Sequence, residues 1–200
     1  MLAMPDVFDF SPHLKEGWQE PQHLLEAEGH GLSPRLRAAL GCTSSLTRHL
    51  ENAWQEPVRV WLESQELSPK WVNEPPVWEA RHQLPQRGDV LLRNAWLGMG
   101  AKKWVFAHSQ VAVADLAASV WAGIERGETP LGALFLDRED RVSRLGLELT
   151  LARAPQFAHN IGLSGEVPFW CRRSLFVVNG SPWARILEVF VDWENHEGAD

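Results

Sequence analysis

Apolar and polar residues alternate along several stretches of this chain and recur every three to four positions along others. Val58-Arg-Val-Trp-Leu-Glu-Ser-Gln65 alternates as a strand does, because successive side chains of extended backbone point to opposite faces. Two further strands are predicted over residues 88–98 and 103–112, joined as a hairpin at Gly98-Met-Gly100. Three more are predicted over 142–152, 169–178 and 183–192. The last two flank Asn179-Gly180, two residues that accept the positive φ a tight hairpin turn needs. A helical period runs through Thr43 to Trp54, with Leu46, Leu50, Ala53 and Trp54 on one face. A second runs through Asp115 to Ile124, with Leu116, Val120 and Ile124 aligned. Ser33-Pro34 reads as a capped helix start, ending near Gly41, and Thr129-Pro130 as the start of a short helix. Residues 1–32 lack periodicity and are read as an irregular arm. Residues 69–85, which include Pro75-Pro76, are expected to pack irregularly. The sum is an α+β class: an antiparallel sheet with helices packed on it, in one domain over residues 33–200.

Composition narrows the function classes. With 200 residues, 44% of them hydrophobic, the chain can bury a substantial core. A formal charge of −7, with basic residues scattered, disfavours nucleic acid as a partner. Eleven Trp and no Tyr suggest Trp as core filler, with stacking on a ligand as the alternative. Cys42 and Cys171 form no CxxC and suit a reducing compartment. The first residues lack a basic start and apolar stretch of a secretory signal, and no apolar run is long enough to span a membrane. A soluble cytoplasmic protein is expected. The eight histidines show no HExxH spacing, and no Walker loop, GxGxxG or GxSxG occurs. No cofactor, metal or covalent nucleophile is expected.

Two charges stand out because they sit among apolar strand residues. Arg93 aligns with Leu91, Ala95 and Leu97, and Glu188 with Ile186 and Phe190. A charge buried alone is strongly unfavourable, so each needs a partner, a ligand or water. A cation and an anion in one apolar pocket suit a small ring with an acid at one end and a hydroxyl at the other. The planar fork of an arginine matches a carboxylate. Between the two lies Gly127-Glu-Thr-Pro-Leu-Gly132, where Thr129 is expected to cap a helix and leave the N–H groups of Leu131 and Gly132 free for a carboxylate. The alternatives are a surface Arg93 with the strand faces reversed, an ordinary capped helix, and a structural ion pair between Glu188 and Arg172 or Arg173.

Taken together, the residues resemble the chorismate pyruvate-lyase family over about residues 35–192. The resemblance rests on Ser45-Leu-Thr-Arg48, Leu92-Arg93, Trp104-Val-Phe-Ala-His-Ser109, Gly127-Glu-Thr-Pro-Leu-Gly132, Arg172-Arg173-Ser174 and Glu188-Val-Phe-Val191, in that order. It implies an antiparallel sheet whose helices cover an enclosed ligand site. It also implies elimination of pyruvate from chorismate to give 4-hydroxybenzoate, the entry to ubiquinone synthesis, without a cofactor and with a monomer expected. By the same resemblance Arg93 binds the ring carboxylate, main-chain groups at Leu46 and Leu131 complete that site, and Glu188 meets the ring hydroxyl.

Four departures accompany the resemblance. Leu46 stands where Met is usual. His108 stands where a second arginine is common, so His108, Arg172 or Arg173 is expected to meet the departing enolpyruvyl carboxylate. The segment from Gly132 to Arg172 is longer than the family pattern, so Ala154-Pro-Gln-Phe-Ala-His-Asn160 reads as a lid or a surface insertion. The Pro182-to-Glu188 spacing is one residue long, which suggests a bulge. The rival reading is a non-catalytic domain of the same fold that binds or senses a small aromatic acid. Such sensors usually follow a winged-helix DNA-binding domain, for which residues 1–32 are too short and too acidic.

Overall fold

The computed structural model describes residues 11–12, 17–71, 88–114, 116–136, 142–166 and 168–191. Alternation becomes strand as expected: β2 is Arg59–Ser68, β3 Val90–Met99, β4 Lys102–Ala112, β5 Val142–Arg153, β6 Pro168–Val178 and β7 Ser181–Phe190. A two-residue β1, Ser11–Pro12, adds to β5. The seven form one sheet in the order β1-β5-β6-β7-β4-β3-β2, and every neighbouring pair is antiparallel. Asn179 and Gly180 take positive φ of 53° and 84° and close the β6–β7 hairpin. The suspected bulge is present: Phe176 pairs with Ala184 but Val177 with Pro182, so Trp183 is the extra residue.

The helices are α1 (Pro21–Glu28), α2 (Pro34–Leu40), α3 (Leu46–Trp54), α4 (Ala118–Arg126), α5 (Ala133–Leu136) and α6 (Pro155–Asn160) among the described residues. Ser33 and Ser45 cap α2 and α3 by accepting from the N–H of Leu36 and Arg48. The arm read as irregular holds α1, because Leu24 and Leu25 are buried against α2, α3 and the sheet. Tertiary burial supplies what the weak local periodicity does not. The stretch 69–85 lies almost wholly outside the described residues.

One face of the sheet is covered in two places. Helices α1, α2 and α3 pack over Leu97, Met99, Val105, Leu149 and Phe190. Helix α4 and the turn at Leu131 pack over Leu91, Val111, Phe176, Ala184 and Ile186. The opposite face is built on Trp96, Phe106, Cys171, Leu187 and Val189, and α6 belongs to it. Phe157 of α6 contacts the rings of Trp96, Phe106 and Phe169 at centroid distances of 6.0, 5.4 and 5.4 Å. The segment read as a lid or surface insertion is therefore core, on the far side of the sheet from the cavity described below. Trp96 and Trp104 are buried, in keeping with Trp as core filler. No described helix is long and apolar enough to cross a membrane.

Candidate functional site

The two helical covers leave a cavity between them on their shared face of the sheet. Together with the open solvent at its mouth, its empty space amounts to about 500 Å³. Strand register decides which side chains enter it. In β3, β4 and β7 the rows run Arg93–Ser109–Ile186 and Ala95–Ala107–Glu188, and all six residues line the cavity. The first turn of α3 (Ser45, Leu46, Thr47) and the turn Pro130-Leu131-Gly132 close it from above. The four residues singled out in the sequence, Leu46, Arg93, Leu131 and Glu188, thus meet at one cavity.

Arg93 is 3% exposed. Its Nη2 donates to the carbonyls of Gly127 and Thr129 at 3.1 and 3.2 Å, which ties the guanidinium to the loop after α4. Its Nε is buried without a hydrogen-bond partner, and no acid among the described residues pairs with it. Burial pulls its pKa down. Gly127 ends α4 with φ of 72°, the left-handed conformation that turns its carbonyl toward Arg93.

The turn departs from its sequence reading. Thr129-Pro130 does not open a helix: Ala133 N–H returns to the carbonyl of Pro130 at 3.0 Å, so 130–133 is a hydrogen-bonded turn, and α5 is only the four residues Ala133–Leu136, which begin on its last residue. Thr129 contributes its carbonyl to Arg93 rather than a cap. A helix end does face the cavity, but it belongs to α3, whose first N–H groups have no acceptor within the helix. Gly132 lets the turn close on that end, since a Cβ there would stand 3.1 Å from Ser45 Oγ.

Glu188, 2% exposed, is held from two sides. Arg172 is its register partner on β6, and the Arg172 Nε donates to Glu188 Oε2. Arg144 Nη2 donates to Oε1 at 3.0 Å. Burial alone raises the carboxyl's pKa, but the two guanidiniums outweigh it and hold Glu188 below the ordinary carboxylate range. Arg172 Nη1 also reaches the carbonyls of Ala39 and Cys42 at 2.6 and 3.2 Å. The ion pair weighed as an alternative for Glu188 is present, and Glu188 also lines the cavity.

Arg144 is the cavity residue that sequence reasoning missed. Besides Glu188 it donates to Ser174 Oγ at 2.7 Å and to the Ser44 carbonyl at 3.1 Å. Burial is the larger influence on its pKa and, against the pull of Glu188, brings it to about 10, so it stays charged at neutral pH. In the run Leu145, Leu147, Leu149, Leu151 strict alternation assigns the leucines to the interior and Arg144 to solvent. The observed β5 reverses its first residues. Leu145 is 44% exposed and Arg144 9%. A bulge between Leu145 and Glu148, with Gly146 at φ of 58°, shifts the alternation by one.

His108 does not enter the cavity. It pairs with Asn94 and Leu187 on the opposite face, and its Nδ1 lies 2.7 Å from Asn94 Oδ1. Arg173 also points that way, to Glu148 and over Trp18. Neither can meet a departing carboxylate in this cavity, and Arg172 is engaged by Glu188. Among the described residues no three His, Cys, Asp or Glu side chains come together as a metal site needs.

The chain is thus an α+β domain whose antiparallel sheet carries a charged, half-apolar cavity beneath two helical covers. By the family model that matches residues 40–195, the chain belongs to the chorismate pyruvate-lyase Rv2949c-like family. No curated protein matches it in sequence. Solved structures share the fold at low identity. The effector domain of PhnF from Mycobacterium smegmatis has 13% identity and a TM-score of 0.52, covering 74% of this chain and 88% of its own. The Staphylococcus aureus gene product SA0254 has 14% identity and a TM-score of 0.53 over 74% and 88%. The ligand-binding domain of a putative GntR-family transcriptional regulator from Bordetella bronchiseptica has 14% identity and a TM-score of 0.50 over 68% and 86%. The fold class read from the sequence is thereby the observed one.

Proposed function

We propose that the domain is a chorismate lyase that eliminates pyruvate from chorismate and leaves 4-hydroxybenzoate. The observation that carries this reading is the pairing of Arg93, a buried guanidinium with an unused N–H, and Glu188, a buried ionised carboxylate, on the wall of one cavity. The ring carboxylate of the substrate binds Arg93 and the first turn of α3, with the Leu131 turn closing over it. The ring hydroxyl donates to Glu188. Each oxygen of that carboxylate accepts one arginine and keeps a lone pair for the hydroxyl.

In the reaction the ether C–O bond at the ring breaks, and its electrons leave with the enolpyruvyl oxygen. The hydrogen on the ring carbon that bears the hydroxyl is lost, and its C–H pair completes the aromatic ring. Delivered to the methylene of the enolpyruvyl group, that hydrogen yields pyruvate, so no atom is gained or lost. Two guanidiniums and a depressed pKa make Glu188 a weak base. It therefore orients the hydroxyl, and the hydrogen passes within the substrate. Aromatisation drives the step, so the chain supplies placement and charge compensation without a cofactor. In this reading the protein works in the cytoplasm as a monomer and feeds ubiquinone synthesis.

The second reading is a non-catalytic binder of a small aromatic acid, favoured by the regulator effector domains that share the fold. Incubation with chorismate separates the two. Stoichiometric 4-hydroxybenzoate and pyruvate support the lyase. Tight binding of 4-hydroxybenzoate with no turnover supports the binder and removes the lyase.

A further inference from the structure

Arg93, Arg144 and Arg172 are buried around one carboxylate, Glu188. One negative charge cannot balance three positive ones, so the site carries two cations in excess among the described residues. Arg172 is spent on Glu188 and two carbonyls and does not line the cavity, whereas Arg93 and Arg144 do. These two enter from opposite sides, Arg93 from β3 and Arg144 from β5, with β4, β7 and β6 between them. At ~4.8 Å per strand their roots lie ~19 Å apart along the sheet, with Glu188 on the strand midway. Nη1 and Nη2 of Arg144 each carry two hydrogens and each spend one, on Ser174 and Glu188, so two N–H bonds remain to donate.

We infer that Arg144 holds the second carboxylate of the substrate proposed above, the one on its ether arm. This rests on the ring-acid reading of the pocket given above. It moves the second cation from β4, where His108 faces the other side of the sheet, to β5, where the Gly146 bulge turns Arg144 inward. A product with one carboxylate balances only one of the two excess cations and leaves Arg144 to share Glu188 with Arg172, so it binds more weakly than the substrate and departs.

The test is titration calorimetry of the whole chain with two stable probes, 3-(carboxymethoxy)benzoate, which has two carboxylates, and 3-methoxybenzoate, which has one. A charge-assisted hydrogen bond predicts that wild type binds the diacid ~10–100-fold more tightly. Arg144→Gln should erase that preference by weakening the diacid far more than the monoacid. Arg144→Lys, which keeps the charge but not the fork, should retain only part of it and decides the matter if the Gln variant does not fold. Equal affinities in wild type, or a preference that survives undiminished in either variant, overturn the role of Arg144 while leaving the ring-acid pocket standing. If wild type binds neither probe, the pocket reading falls and this inference falls with it.

Discussion

Arg172 and Glu188 stand opposite each other across the β6–β7 ladder, and their side chains are 0% and 3% exposed. Removing Arg172 empties a fully buried site, strips the Ala39 and Cys42 carbonyls of their donor and leaves Glu188 with Arg144 alone. Arg172→Ala should destabilise the fold by ~3–5 kcal/mol, read as a lower urea midpoint. Arg172→Ala combined with Glu188→Ala should cost less stability than the sum of the two single losses, because each single change already removes the contact between them. Strict additivity would mean that the pair is not coupled.

The pH dependence of stability follows from the same carboxylate. In the unfolded chain Glu188 takes up a proton near its ordinary pKa of 4.5, while in the folded chain the two arginines hold that pKa lower. Below pH 4.5 the unfolded state therefore binds more protons than the native one, and stability falls as pH falls. The contribution is complete above that pH and is lost progressively toward the folded value. Urea midpoints from pH 7 down to pH 3 should show a shallower acid decline in Glu188→Gln than in wild type. Identical slopes would place Glu188 in an environment without the two guanidiniums.

Among the described residues Arg93 differs from Arg172 in having carbonyls but no acid as partners, so its charge is available to a ligand. Arg93→Lys keeps a cation and loses the planar fork, and should weaken 4-hydroxybenzoate binding by ~10–100-fold by calorimetry. Arg93→Ala should remove both turnover and product affinity. Wild-type affinity in either variant would take Arg93 out of the carboxylate site.

The site was half legible in the sequence, and the other half was hidden for a physical reason. Period-2 reasoning aligned Arg93 with Leu91, Ala95 and Leu97, and Glu188 with Ile186 and Phe190, as the register has them, but for Arg93 it left open which strand face is buried. Arg144 lies beside a bulge, and one extra residue exchanges the two faces of everything before it. The pattern of leucines is unchanged by the bulge and points the wrong way. The Ser33 cap and the Asn179-Gly180 turn were readable because each depends on neighbours within a few residues. The burial of α1 and α6 was not, because it depends on α2, α3 and the aromatic face of the sheet, which are distant in sequence. The side of the sheet that His108 takes follows from the same parity that seats Ala107 and Ser109 in the cavity. Parity excluded His108 once Glu188 was assigned, whereas motif position alone favoured it.

Two glycines around the site separate backbone clash from backbone strain. A Cβ on Gly98, at the end of β3, would stand 1.8 Å from the Lys102 carbonyl oxygen across the hairpin. Backbone in a tight hairpin cannot yield that far, so Gly98→Ala should disrupt the β3–β4 turn and lower stability by ~3 kcal/mol or more. A Cβ on Gly127 would stand 2.6 Å from Leu62 Cδ2, the end of a side chain that is itself 41% exposed and free to swing aside. What remains there is the left-handed φ of 72°, worth about 1–2 kcal/mol for a residue with a side chain. Because the Gly127 carbonyl anchors Arg93, Gly127→Ala should also weaken 4-hydroxybenzoate binding, whereas its urea midpoint falls less than that of Gly98→Ala. Equal losses of stability in the two variants would contradict the hairpin geometry, and unchanged affinity in Gly127→Ala would show that Arg93 keeps its aim without that carbonyl.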